Sequence, residues 1–161
     1  MPHHPLLIIG YGNPSRGDDA LGPAFLEWIE REKPLSGFDS LTDFQLQIEH
    51  AMDLEKRALT LFVDASASAT APFEFTCLTA QQDESYSSHA MSPAALLAVY
   101  QQVYNRPPPP AFLLAIRGYD FELGAPISDQ AERNLRMAVA FTRSLLDEPQ
   151  PEAWLDSVEV D

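Results

Sequence analysis

The chain has a single cysteine, Cys77, among its 161 residues, so no intramolecular disulfide can form and the framework of a small secreted domain is excluded. Basic residues are scarce. Ten Lys and Arg stand against 24 Asp and Glu, a formal net charge of -14, and the ten are scattered rather than clustered. A surface this acidic repels phosphate backbones and anionic headgroups, so neither nucleic acid nor membrane is expected as a partner. Long apolar runs are also missing. The first, Leu6 to Ile9, is far too short for a signal-peptide core or a membrane span, and none of the later ones reaches spanning length. A cytoplasmic, monomeric protein is the expectation. Only four histidines occur, which limits the nitrogen ligands available for any metal.

What is present suits one globular domain. The length allows a single core, and 45% hydrophobic with 21% charged residues is ordinary soluble composition. Leu6-Leu7-Ile8-Ile9, closed by Gly10, reads as a strand buried on both faces. A turn-rich stretch from Gly10 to Asp19 follows, then Leu21, Phe25, Trp28 and Ile29 at helical spacing. Alternation near Phe44, Leu46 and Ile48 predicts a second strand, and residues 50 to 56 a short helix. The run Ala58 to Val63, ending at Asp64, predicts a third strand. Phe73, Phe75 and Cys77 alternate as a fourth, which places the cysteine beside two phenylalanines as a packing residue.

Ser92-Pro93 is a helix start, with a side-chain cap and proline at the first helical position, and this helix is expected to run to about Tyr104. Pro107 to Pro110 form a stiff connector into a fifth strand, Ala111 to Ile116. Ser128 opens a last helix reaching about Leu146. Strands alternating with helices give an α/β architecture: a five-stranded, mostly parallel twisted sheet with helices on both faces, in three layers. The domain is expected over 1–146. Residues 147–161 carry six acidic residues, two prolines and no Lys or Arg, and read as a mobile, solvated tail, although Trp154 and Leu155 fit that poorly.

Functional loops of open α/β sheets lie beyond the carboxyl ends of the strands. The first strand delivers Gly10-Tyr11-Gly12-Asn13-Pro14-Ser15-Arg16-Gly17-Asp18-Asp19 to that edge, and the third delivers Asp64. Gly-x-Gly after a first strand invites a dinucleotide reading. Asp18 and Asp19 oppose it, because two negative charges would stand where a pyrophosphate binds. The pair can instead cap a helix, and one aspartate suffices for that, which leaves the other for a cation. For Asp64 a structural hydrogen bond and a site role are both open. His3 and His4 sit at the terminus, and His50 reads as a surface or packing residue. His89 follows Tyr86-Ser87-Ser88 in a polar loop before the Ser92 helix start, within reach of the sheet edge. Together Asp19, Asp64 and His89 form a two-carboxylate, one-imidazole set suited to a divalent first-row metal, with positions left open for water or substrate.

These residues resemble the hydrogenase maturation proteases. The resemblance is carried by Ile9-Gly10-Tyr11-Gly12-Asn13-Pro14 with Asp18-Asp19 and Gly22, by Phe62-Val63-Asp64-Ala65, and by Ser88-His89-Ala90-Met91 with Leu96-Leu97, and it extends over roughly residues 6 to 145. It implies a phosphorylase/hydrolase-like three-layer fold. It further implies an endopeptidase that removes the C-terminal extension of a nickel-loaded nickel-iron hydrogenase large-subunit precursor. Asp19, Asp64 and His89 are then the metal-contacting and catalytic residues, the nickel is carried by the precursor, and no organic cofactor is required. Water would be activated either by a carboxylate acting as base or by the metal. The stretch Gln45 to Ala51 is similar to the version in proteases that serve soluble or bidirectional NAD-linked hydrogenases. A non-catalytic homologue that binds the large subunit as a metal-delivery factor or chaperone is the alternative.

Overall fold

The apolar runs of the sequence become the inner strands of a twisted sheet. The computed structural model describes residues 4–32, 37–82 and 91–158. Its strands are β1 (Leu6–Tyr11), β2 (Phe38–Asp43), β3 (Leu59–Ser66), β4 (Phe73–Leu78) and β5 (Ala111–Arg117), in the spatial order β2-β1-β3-β5-β4. All neighbours run parallel except β4, which is antiparallel to β5. The expected five-stranded, mostly parallel α/β sheet is therefore the observed one. Every residue of β1 is buried, as its uninterrupted apolar run requires of a strand covered on both faces.

Helices α1 (Leu21–Glu32), α2 (Pro93–Tyr104), α3 (Asp129–Asp147) and α4 (Pro151–Leu155) complete the layers. On one face, Leu21, Phe25, Leu26 and Ile29 of α1 and Ala131, Leu135, Ala138 and Val139 of α3 pack on Ile8, Leu61, Val63, Leu114 and Ile116. The other face buries Leu96, Leu97 and Tyr100 of α2, with Ala51 and Leu54, against Leu7, Ile9 and Phe62. Side-chain caps start two of these helices where the sequence indicates. The hydroxyl of Ser92 accepts from Ala95 N–H at 3.1 Å, and that of Ser128 from Ala131 N–H at 3.3 Å.

Three expectations are corrected. The second strand lies at Phe38–Asp43, not around Phe44, Leu46 and Ile48, and a 3-10 helix occupies Ile48–Leu54. The reason is position: β2 is an edge strand and half-buried, so Phe38-Asp39-Ser40-Leu41-Thr42-Asp43 needs no apolar run to hold its place. Cys77 falls on β4 as expected but is exposed near the end of that edge strand, not packed.

The acidic segment after Asp147 is not a solvated tail at Trp154. That indole is 0% exposed, stacks edge-on to Phe75 and Phe112, and donates its ring N–H to the Leu145 carbonyl at 2.9 Å. Pro151 at the start of α4 sets the turn that brings the ring back onto the sheet, and burial of so large a side chain outweighs the charge around it. No helix among the described residues is long and apolar enough to cross a membrane.

Candidate active site

The strand order creates the site. Strand β1 lies between β2 and β3, and the connections to these two neighbours pass on opposite faces: α1 on one, the 3-10 helix Ile48–Leu54 on the other. A crevice opens at the carboxyl end of β1, where α/β sheets receive ligands. It is a cleft of about 800 Å³, lined by Tyr11, Asn13 and Arg16 after β1, by Asp43 and Gln45 after β2, and by Asp19 and Asp64.

Close packing of backbone on backbone explains the glycines at its base. A Cβ on Gly12, whose φ is +149°, would stand 1.9 Å from the Asp19 carbonyl oxygen. On Gly22 it would meet the carbonyls of Tyr11 at 2.5 Å and Val63 at 2.8 Å. These glycines let the start of α1 sit directly on β1 and β3, which is what carries Asp19 to the strand ends.

The two adjacent aspartates have separate roles. Asp18 is 0% exposed and points away from the cleft. It accepts N–H bonds from Tyr119 at 2.6 Å, Asp120 at 3.0 Å and Ser128 at 2.7 Å, and the Ser128 hydroxyl at 2.8 Å. Burial pushes its carboxyl up, but the donors of Asp120, Ser128 and Tyr119 outweigh that and hold it below the ordinary aspartate value. Asp18 therefore serves the fold, but not as the helix cap the sequence suggests: it ties the loop after β5 to Ser128, the residue that itself caps α3. Asp19 faces the cleft, with Oδ2 accepting from Asn13 N–H at 2.8 Å.

Asp64 lies two residues before the end of β3, in register with Ala115 of β5. Burial raises its carboxyl to about 7, the neighbouring Tyr11 hydroxyl and the Ala65 N–H act the other way as donors, and the charge of Asp19 adds to the rise. Tyr11 is itself raised well above the ordinary phenol value, by burial first and then by the charge of Asp64. The structure therefore brings Asp19 and Asp64 into one cleft. His89, the third expected member, lies outside the described residues. Among the described residues, no group of three His, Cys, Asp or Glu side chains is placed to hold a metal ion.

Asp43 carries no signal in the sequence, and His50 is expected there only as a surface or packing residue. His50 is buried, 7% exposed, and its Nε2 lies 3.3 Å from Asp43 Oδ2 at the cleft. Placing β2 six residues too late hides this pair. With the strand ended at Asp43, that aspartate stands at a carboxyl end just as Asp64 nearly does.

No protein-family model and no curated protein sequence matches the chain. Solved structures do. A NiFe hydrogenase maturation protease HycI from Thermococcus kodakarensis KOD1 superposes with a TM-score of 0.70 at 18% identity, over 89% of this chain and 92% of that one. The hydrogenase maturating endopeptidase HybD from E. coli gives 0.69 at 19% identity, over 89% and 93%. A hydrogenase 2 maturation peptidase from Thaumarchaeota archaeon SCGC_AB-539-E09 gives 0.64 at 18%, over 88% and 97%. This chain therefore has the fold of the solved hydrogenase maturation proteases, along nearly its whole length and nearly the whole of theirs.

Proposed function

We propose that this protein is an endopeptidase of hydrogenase maturation, which removes the C-terminal extension of a nickel-iron hydrogenase large-subunit precursor after nickel has been inserted. One observation carries the reading. On a fold shared with maturation proteases, Asp19 and Asp64 reach a single open cleft at the carboxyl edge of the sheet from separate elements. Two carboxylates, joined by His89, make a partial shell of oxygen and nitrogen donors for a divalent metal.

In this reading the nickel belongs to the substrate. The loaded precursor presents it to the cleft, Asp19, Asp64 and His89 complete its coordination, and the peptide beside it is held for attack by water. Recognition then depends on the metal having been inserted, which makes trimming a check on assembly. The chain's contribution is positional. Asn13 N–H fixes one Asp19 oxygen, while the Tyr11 hydroxyl and Ala65 N–H stand as donors at Asp64. Covalent catalysis through a thiol is disfavoured, since Cys77 sits on β4 and does not line the cleft.

The test is processing by variants. Asp19→Asn or Asp64→Asn removes a charged donor while keeping the side-chain shape, and each is expected to abolish trimming of the loaded precursor. Full trimming by either folded variant would refute the assignment.

A further inference from the structure

The turn that follows β2 holds a carboxylate at the cleft by means the Asp19 and Asp64 pair does not explain. Asp43 ends β2, and its carbonyl accepts Gly12 N–H at 3.0 Å, which anchors it to the loop leading to Asn13. Its Oδ1 accepts Phe44 N–H at 2.7 Å, and its Oδ2 faces His50 Nε2 at 3.3 Å. The imidazole is buried and its other nitrogen is occupied, because Nδ1 accepts Gln47 N–H at 2.9 Å. A neutral ring that accepts at Nδ1 must carry its proton on Nε2, so the side turned to Asp43 is a donor.

Capping alone accounts for only half of this geometry. The capping box of the 3-10 helix uses His50 Nδ1 and the Gln47 side chain, and it would be complete without Nε2 near any partner. The Asp43 side chain, meanwhile, remains 37% exposed and lines the cleft with Asp19 and Asp64. A carboxylate oriented on one side by an N–H and an imidazole keeps lone pairs free on the other.

We infer that Asp43 is a substrate-contacting residue of this site, accepting N–H donors of the peptide segment that crosses the cleft, and that His50 is its positioning residue. The inference rests on the peptidase reading above. Strands β2 and β3 flank β1, so a segment lying over Gly12 and Asn13 with the metal at Asp19 and Asp64 passes Asp43 on its other side. His50 acts only through Asp43. It keeps the carboxylate turned to the cleft before substrate arrives, which lowers the ordering cost of binding.

The experiment measures trimming of a nickel-loaded large-subunit precursor by the full-length protein, over a range of precursor concentrations. Asp43→Asn keeps the shape and loses the charge. His50→Asn places an oxygen where Nδ1 accepts Gln47 N–H but falls short of Asp43, whereas His50→Gln puts an amide N–H near the place of Nε2. Asp43→Asn and His50→Asn are expected to raise KM about ten-fold with kcat within about two-fold of wild type. His50→Gln should restore KM, and His50→Asn, which keeps the acceptor for Gln47 N–H, should melt close to wild type. An unchanged KM for Asp43→Asn, or a fall in kcat alone, would overturn the assignment of Asp43. A raised KM for Asp43→Asn with His50→Asn unaffected, or with His50→Gln as impaired as His50→Asn, would overturn the role of His50. Wild-type protein that trims nothing would instead sink the peptidase reading, and this inference with it.

Discussion

The buried carboxylate of Asp18 binds Ser128 twice, through its N–H at 2.7 Å and its hydroxyl at 2.8 Å, and so joins the loop after β1 to the start of α3 across 110 residues. Asp19, the next residue, makes no part of this bond and faces the cleft. Adjacent and chemically identical side chains thus divide between holding the fold and facing the candidate site.

Asp18 should therefore matter for stability. Its folded carboxyl is held below the ordinary aspartate value, so the stabilisation is complete above the unfolded value and is lost as pH falls through the lowered folded one. Asp18→Asn, which gives up a charged acceptor, is expected to cost roughly 2 kcal/mol near neutrality and progressively less in acid. Melting temperatures of both proteins from pH 7 downward check this; a constant difference across the range would contradict it.

Asp64 should behave in the opposite sense. Its carboxyl is raised to about 7 in the folded protein, chiefly by burial, so the ionised form is disfavoured in the free cleft. Stability of the metal-free protein should fall as pH rises from the ordinary aspartate value to about 7, by an amount on the order of a few kcal/mol. Asp64→Asn should remove that fall, melting higher than wild type at pH 8 and losing its advantage toward pH 4. A variant that melts lower than wild type at pH 8 would show that Asp64 serves the fold.

Trp154 should be indispensable to the core. Replacing it with alanine empties a site between Phe75 and Phe112, at an expected cost of roughly 3–5 kcal/mol. Truncation after Leu146, which sequence considerations alone would call harmless, should lower the melting temperature as strongly. Unchanged melting of the truncated chain would return the segment to the status of a solvated tail.

Burial decides which parts of this architecture are legible in the sequence. Strands β1 and β3 are covered on both faces, so each shows as an apolar run, and α2 and α3 announce themselves by serine caps. Strand β2 is an edge and shows neither signal, which displaces the second strand to Phe44 and hides Asp43. Trp154 is hidden differently: its contacts are tertiary, and the local sequence around it is acidic and broken by proline. At the cleft, Asp64 follows from its place near a strand end, while the choice of Asp19 over its neighbour Asp18 comes from the resemblance to the maturation proteases. The Asp43 and His50 contact needs the turn Phe44 to Gln47 to fold back on itself, and no periodicity encodes that.

Nickel in the precursor is the feature that the proposed protease is expected to read. Purified protein should be mixed with large-subunit precursor prepared with and without nickel, and the mass of the large subunit followed with time. The nickel-loaded form is expected to lose its C-terminal extension while the metal-free form keeps it. Efficient trimming of the metal-free precursor, or none of the loaded one, would contradict the account.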